Sequence, residues 1–368
     1  MRRAAGEHDV DRQDYRCFQE GARRLAAAMA GVPDQTPVSA QLHEFAMRQL
    51  GVPADRFYTR PDILVPGELE IQRAFGVDVA SITYDIYTIE AEGLGQKVVY
   101  SADFVPDVDR SAPLIRQPED LHLIRTPDFD RTGRFSQVIE MFSLFRELTG
   151  MEPTLGFTAP FTLAASLRGI EQLISDIYTD PRWAADLFER LCQEVLAPWI
   201  VYQHRKFPAA TTVHGADATA SVPIVNLRLL RDWAARYIVR LRELTGLHVT
   251  VANWVGESLL REPATMLDLK LQACPDVLQG QDPDVERLGP AFYRTYADSR
   301  DVPLTLGIGA SFLAQATPEQ IRERVQHYIR EGGRDGRFSL YLCNVSGATP
   351  PENLRAAVDA ARWPDAAG

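Results

Sequence analysis

Hydrophobic positions along this chain fall into two rhythms: short runs with the period of a strand, and longer faces with the period of a helix. The short runs are Pro37–Leu42 (PVSAQL), Val79–Tyr84 (VASITY), Thr154–Thr158 (TLGFT), Thr211–Asp217 (TTVHGAD), His248–Trp254 (HVTVANW), Asp276–Gln281 (DVLQGQ), Pro303–Gly309 (PLTLGIG) and Arg337–Asn344 (RFSLYLCN). Helical segments lie between successive runs, among them EFAMRQLG, ELEIQRAFG and Phe135–Thr149. Several helix starts carry their own signals. Asp180-Pro181 is a cap followed by proline, Thr317-Pro318 with Gln320 is a capping box, and Thr349-Pro350 with Glu352 repeats it. The last four runs begin at 248, 276, 303 and 337, close to the roughly 30 residues that one βα unit needs.

Eight strands alternating with helices predict a closed (β/α)8 barrel. An open doubly wound sheet would normally place a glycine-rich nucleotide turn after its first strand, and that turn is absent. Residues 1–35, with FQEGARRLAAAMAG as the clearest amphipathic run, read as an N-terminal helical cover. Residues 89–135 break the rhythm with Pro-rich and Asp-rich stretches and read as an insertion over one barrel end, the kind of long loop that is usually functional when ordered. Residues 1–368 are expected to form one domain, a monomer or homodimer.

Composition narrows the partners. A net charge of −11 argues against nucleic acid or an anionic membrane as the main partner. No apolar run reaches the ~20 residues that span a bilayer, and the opening MRRAAGEHDVDRQ lacks the apolar segment of a signal peptide. Cys17, Cys192, Cys274 and Cys343 are widely spaced, the usage expected of a reduced cytoplasm.

In such a barrel chemistry sits at the C-terminal ends of the strands. The eighth run delivers Cys343 and Asn344 there, the thiol as nucleophile, metal ligand or small buried residue. The fourth delivers His214 and Asp217, an acid–base pair or a satisfied histidine, with alternation placing the two on opposite pleats. Gln41 and His43 share a face if period two continues, which carries His43 towards Cys343 and makes the two a candidate metal or Cys/His pair. Gln279, Gln281 and Asp282 are polar for a strand exit and read as ligand contacts or as a solvated loop. Gly307, Gly309 and Ser311 resemble the close-approach turns that hold anions in barrels.

Three stretches carry a resemblance to a known family: GFTAPFTLA (Gly156–Ala164), FGVDVASITYDIYTIEAEGLG and GATPPENLRAAVDAA. With them the chain resembles the uroporphyrinogen decarboxylase superfamily, including its corrinoid-dependent methyltransferases to coenzyme M. The resemblance places the family's acidic residue on Asp85, puts Phe157 among the lining contacts, and implies a barrel enzyme acting on a small molecule. It also implies a corrinoid protein or methylated cofactor as donor.

Departures matter as much. The arginine-rich segment of the decarboxylases reads SAQLHEF here, the family tyrosine falls on Ser166, and the last-strand histidine is Cys343, so tetrapyrrole decarboxylation is not expected. Cys343 resembles the last zinc ligand of the thiol-directed methyltransferases. Their His-x-Cys pair falls on Asn253 and Val255, however, so the usual zinc site is not expected, and Asn253 and Glu257 become polar contacts in the same cavity. The leading expectation is a methyltransferase-like enzyme. A decarboxylase or lyase on a smaller acid, using Asp85 and His214, and a non-catalytic binding barrel are the alternatives.

Overall fold

The computed structural model describes residues 15–362; residues 1–14 of the expected cover, including the whole opening stretch MRRAAGEHDVDRQ, lie outside the described residues. Nine strands are described: β1 Val38–Ala40, β2 Val98–Val99, β3 Asp107–Val108, β4 Leu155–Thr158, β5 Val213–Ala216, β6 Val249–Val251, β7 Leu278–Gln281, β8 Leu304–Ile308 and β9 Phe338–Leu342. β2 and β3 form an antiparallel hairpin inside the 89–135 region. The others form two parallel arcs, β4-β5-β6 and β1-β9-β8-β7, and together with the 79–84 segment they make the wall of a (β/α)8 barrel. Helix Arg16–Met29 crosses its N-terminal end, where Arg24 pairs with Asp78 at 2.5 Å and Asp78 accepts from the β1 amide of Val38 at 2.9 Å.

The second predicted strand differs from expectation. Of 79–84 only Val79 is bridged, to Ser39 on β1. The reason lies in where its backbone groups find partners. Gln72 on helix Pro61–Phe75 accepts from the Ser81 amide at 3.0 Å and donates to the Ser81 carbonyl at 2.6 Å, while Glu68 accepts from the Thr83 amide at 2.7 Å. Helix side chains satisfy what a neighbouring strand would.

The same device closes both seams between the arcs. At β4, Gln203 bonds both the amide and the carbonyl of Gly156 (3.2 and 2.9 Å), and Glu90 accepts from the Thr158 amide at 3.0 Å. Between β6 and β7, Lys270 donates to the Gln279 carbonyl at 3.1 Å, and Arg242 donates to the Val249 and Ala273 carbonyls.

The first seam also holds a proton. The Thr158 hydroxyl lies 2.7 Å from both the Ile86 carbonyl and Glu90 Oε2. One hydroxyl proton cannot serve both acceptors well, so the geometry is complete when Glu90 itself is protonated and donates. Burial acts in the same direction, lifting the Glu90 pKa from 4.5 to about 7. The folded chain therefore keeps a proton that the unfolded chain releases. The associated stability is full below pH 4.5 and is lost as pH rises through about 7. Glu90→Gln should be near neutral at pH 5 and should become more stable than wild type above pH 7, by up to about 3 kcal/mol, in melting curves recorded against pH.

Packing divides inside from outside. Leu155, Val213, Val249, Leu278, Leu304, Leu306 and Leu340 are fully buried and belong to the two apolar clusters that join sheet to helices. The alternate positions Ser39, His214, Gln279, Thr305 and Tyr341 keep partial exposure, because they face the lumen. The capping boxes divide as well. Thr317 and Gln320 exchange their bonds at 3.3 and 2.9 Å. At the final helix, Thr349 Oγ1 is buried without a partner among the described residues; the helix runs Pro351–Arg362, and the Asn353 amide bonds to the Pro350 carbonyl.

Candidate active site

The lumen is lined by neutral polar side chains that meet in pairs. On β9 Tyr341 donates to Gln41 Oε1, just past β1, at 2.8 Å. Cys343 lies two residues on, beside Gly307 of β8, where a Cβ would meet its Sγ at 2.4 Å and the Gln281 Cβ at 2.8 Å. That glycine makes room for the thiol, which donates to Gln281 Oε1 at 3.4 Å. Gln279 Nε2 reaches the same oxygen at 3.5 Å. Deeper in the barrel Thr305 and Ser339 are 2.8 Å apart, and His214 Nδ1 lies 3.0 Å from Thr250 Oγ1. Asn253 accepts from the Asp217 amide at 3.0 Å and donates to the Tyr87 hydroxyl at 3.3 Å.

Charge is kept low in this space. Burial pushes His214 down to about 4, so its ring is neutral at ordinary pH. Burial also raises Cys343 and Tyr341 well above their usual values and Tyr87 to about 12. The Cys343 thiol is protonated and donates. It is not a poised thiolate, and His214 is too weak a base to make it one.

Several expected contacts turn away from the lumen. Asp85 finds its cation inside the chain: Arg134 grips it bidentately at 2.9 and 2.6 Å, and Thr88 donates at 2.5 Å. Burial raises its pKa, and Arg134 opposes that rise. Phe157 is fully buried, its ring lying where a Cβ on Gly215 would be, on the helix side of the sheet. Asp217 keeps the pleat opposite His214; it accepts from the Thr162 amide and hydroxyl (3.2 and 2.7 Å) and from the Trp254 indole at 3.0 Å. Glu257 is fully buried against Lys270 at 2.6 Å and Tyr293 at 2.9 Å.

His43 also takes another partner. The strand stops at Ala40 and a helix begins at His43, so period two does not carry across, and its Nδ1 lies 2.6 Å from the Tyr58 hydroxyl. The turn at Gly307–Ser311 is already supplied with an anion of the chain, because Asp282 accepts from the Gly309 amide at 3.1 Å. Ser311 and Asn344 are exposed on the rim, and Asn344 adopts a left-handed φ of 43° that suits its place in the turn.

Sequence reasoning missed Tyr341, Tyr87, Thr250, Arg134 and Lys270. Tyr341 was within reach, two residues before Cys343 on the same strand face. Arg134 and Lys270 carried no local signal, since one ends the irregular segment and the other sits on helix Ala264–Ala273. The residues present do not fit the tetrahedral zinc site of the thiol-directed branch. Asn253 has both ends of its amide engaged, and among the described residues no three His, Cys, Asp or Glu side chains group as metal ligands.

A cleft of about 340 Å³ at the opposite barrel end, lined by Arg24, Arg73, Asp78 and Arg362, is occupied by the chain's own pairings. Arg24 holds Asp34 and Asp78, Arg73 holds Glu70, and Arg362 holds the Gly76 carbonyl. Among the described residues no helix is long and apolar enough to cross a membrane.

A closed parallel barrel whose strands end around a polar lumen is the architecture of a small-molecule enzyme. The model of the family described as uroporphyrinogen decarboxylase (URO-D) matches residues 20–248, and the chain belongs to that family. Over 367 residues it is 24% identical to a methylated-thiol–coenzyme M methyltransferase of Methanosarcina mazei, covering 92% of this chain and 88% of the relative. A solved methyltransferase from Methanosarcina mazei has the same fold, with a TM-score of 0.73 at 19% identity over 92% of this chain and 96% of its own. The resemblance read from GFTAPFTLA and its companions is thus borne out for the family and the barrel.

Proposed function

We propose that this chain is a methyltransferase-like enzyme that binds a small methylated molecule, or its acceptor, in the lumen and orients it for methyl transfer at the mouth. The reading is carried by the similarity to a methylated-thiol–coenzyme M methyltransferase across 92% of the chain. In-line methyl transfer depends chiefly on holding two reactants in line, and a lumen of paired amides and hydroxyls suits that task. Gln41, Gln279, Gln281, Tyr341 and Asn253 would hold the substrate, with Cys343 and His214 as neutral hydrogen-bonding contacts. Cytoplasmic placement belongs to the same reading, in keeping with the buried free thiols Cys192, Cys274 and Cys343.

The donor implied by the family resemblance is a corrinoid carried on a partner protein, and a corrinoid supplies a transferable methyl group. His214 is bonded to Thr250 deep in the barrel and His43 to Tyr58, so neither is placed to hold such a group on this chain. The alternative of a lyase on a small acid is less well supported, because Arg134 and Lys270 are both already paired with carboxylates.

Two measurements test the reading. Purified protein with methylated small molecules and a thiol acceptor, with and without a corrinoid protein, should yield methylated acceptor detectable by NMR. Release of carbon dioxide from a small acid without methyl transfer would overturn the reading, as would complete inertness. Cys343→Ser should keep kcat/KM within about tenfold, because the thiol acts as a neutral donor; loss of more than about a thousandfold would restore it as nucleophile or metal ligand.

A further inference from the structure

The lumen's hydrogen-bonding capacity is only partly used by the protein. Gln41 accepts from Tyr341 through Oε1, which leaves its Nε2 without a partner among the described residues. Gln281 accepts from Cys343 and Gln279 through Oε1, and its Nε2 is likewise unassigned. Gln279 uses its Nε2 and keeps Oε1 open. Two amide NH2 groups and one amide carbonyl are therefore uncommitted among the described residues, on Gln41 just past β1 and on Gln279 and Gln281 of β7, linked to β9 through Tyr341 and Cys343. A bound primary amide can accept through its oxygen from an N–H of each Nε2 and donate one of its own two N–H protons to Gln279 Oε1.

Charge sets the second constraint. The acids at the strand ends are turned to partners within the chain: Asp85 to Arg134 and Thr88, Asp217 to Thr162 and Trp254, Asp282 to Gly309, Arg324 and Tyr328, and Glu257 through Oε1 to Lys270 and Tyr293, its buried Oε2 having no partner among the described residues. The nearby cations Arg134 and Lys270 are held by those same acids. An anionic ligand would meet Arg134 and Lys270 only as cations already paired, and a cationic one would meet Asp85, Asp217 and Asp282 only as carboxylates already held by the chain. Either would lose hydration without recovering it.

We propose that the lumen selects an uncharged methylated compound with an amide-like head, lodged between Gln41, Gln279 and Gln281, and discriminates against carboxylate and ammonium analogues of the same shape. The proposal rests on the methyl-transfer reading for the methyl group and on the lumen's hydrogen-bond complement for the head.

The test compares three near-isosteric probes by isothermal titration calorimetry and thermal shift on the wild-type chain: methylthiopropanamide, methylthiopropanoate and methylthiopropylamine. The amide should bind at least about tenfold more tightly than either ion. Gln281→Leu should weaken the amide by roughly tenfold, and Gln281→Glu should turn the preference towards the amine. Equal or tighter binding of propanoate or propylamine to the wild type overturns the proposal, as does the absence of heat and thermal shift with all three. The wild-type comparison stands even where a variant fails to fold. An amide that binds and is never demethylated leaves this inference intact and defeats the methyl-transfer reading. A carboxylate that binds and is demethylated does the reverse.

Discussion

Replacing Arg134 with methionine is expected to destabilise the folded chain by about 3–5 kcal/mol, read as a fall in the urea midpoint with little change in slope. Asp85 and Arg134 have side-chain exposures of 1% and 6%, and removing the guanidinium leaves a carboxylate with only the Thr88 hydroxyl to hold it. Arg134 also donates to Glu92 at 2.7 Å, and Glu92 accepts from Tyr100 at 2.7 Å, so the change should loosen the 89–135 segment along with the barrel end. Asp85→Asn combined with Arg134→Met should recover more than half of the loss, because the penalty comes from the unpaired charge. If Arg134→Met cost under about 1 kcal/mol, the pair would not be the buried anchor described.

Lys270→Met is expected to cost about 3 kcal/mol or more by the same measurement. Lys270 and Glu257 have exposures of 3% and 0%, and Glu257 Oε2 already has no partner among the described residues. Burial raises the Glu257 pKa, with Lys270 as the principal opposing influence. Without the ammonium, Glu257 should fold protonated. The variant should then lose stability as pH rises, more steeply than wild type. It also loses the donor to the Gln279 carbonyl, so hydrogen exchange should quicken at the seam between β6 and β7. Lys270→Met with Glu257→Gln should recover the pH dependence but not the seam.

Much of the barrel was legible because alternation and capping act locally. The runs that became β5, β7, β8 and β9 are visible from period two, and Thr317 with Gln320 forms the predicted box. What failed depended on partners remote in the chain. The segment 79–84 has a strand's composition, yet Gln72 and Glu68 occupy its backbone, and nothing within the run reveals that.

Candidate residues were sorted less well than elements, for a related reason. Polarity at a strand end marks both lumen contacts and buried anchors, and the two differ only in which pleat they occupy. His214, Gln279, Gln281 and Cys343 fall on the inner pleat. Phe157 and Asp217 fall on the outer one, where Asp217 ties helix Pro160–Arg168 to Trp254 through Thr162. Asp85, expected as the family's acidic residue, is held instead by Arg134, contributed by the end of the irregular segment. Placing the family's zinc pair on Asn253 and Val255 is an expectation from the resemblance alone. The uncharged set of amides and hydroxyls around Asn253 emerges only when Tyr341 and Tyr87 are placed in space.

On the proposed function a small methylated ligand sits inside the barrel, held by this neutral set. Crystals soaked with methylthiopropanamide test it most directly. Difference density is expected between Gln41, Gln279 and Gln281, with the methyl group pointing to the open C-terminal end. Density confined to the cleft lined by Arg24, Arg73 and Arg362, or none in the lumen at saturating ligand, would contradict it.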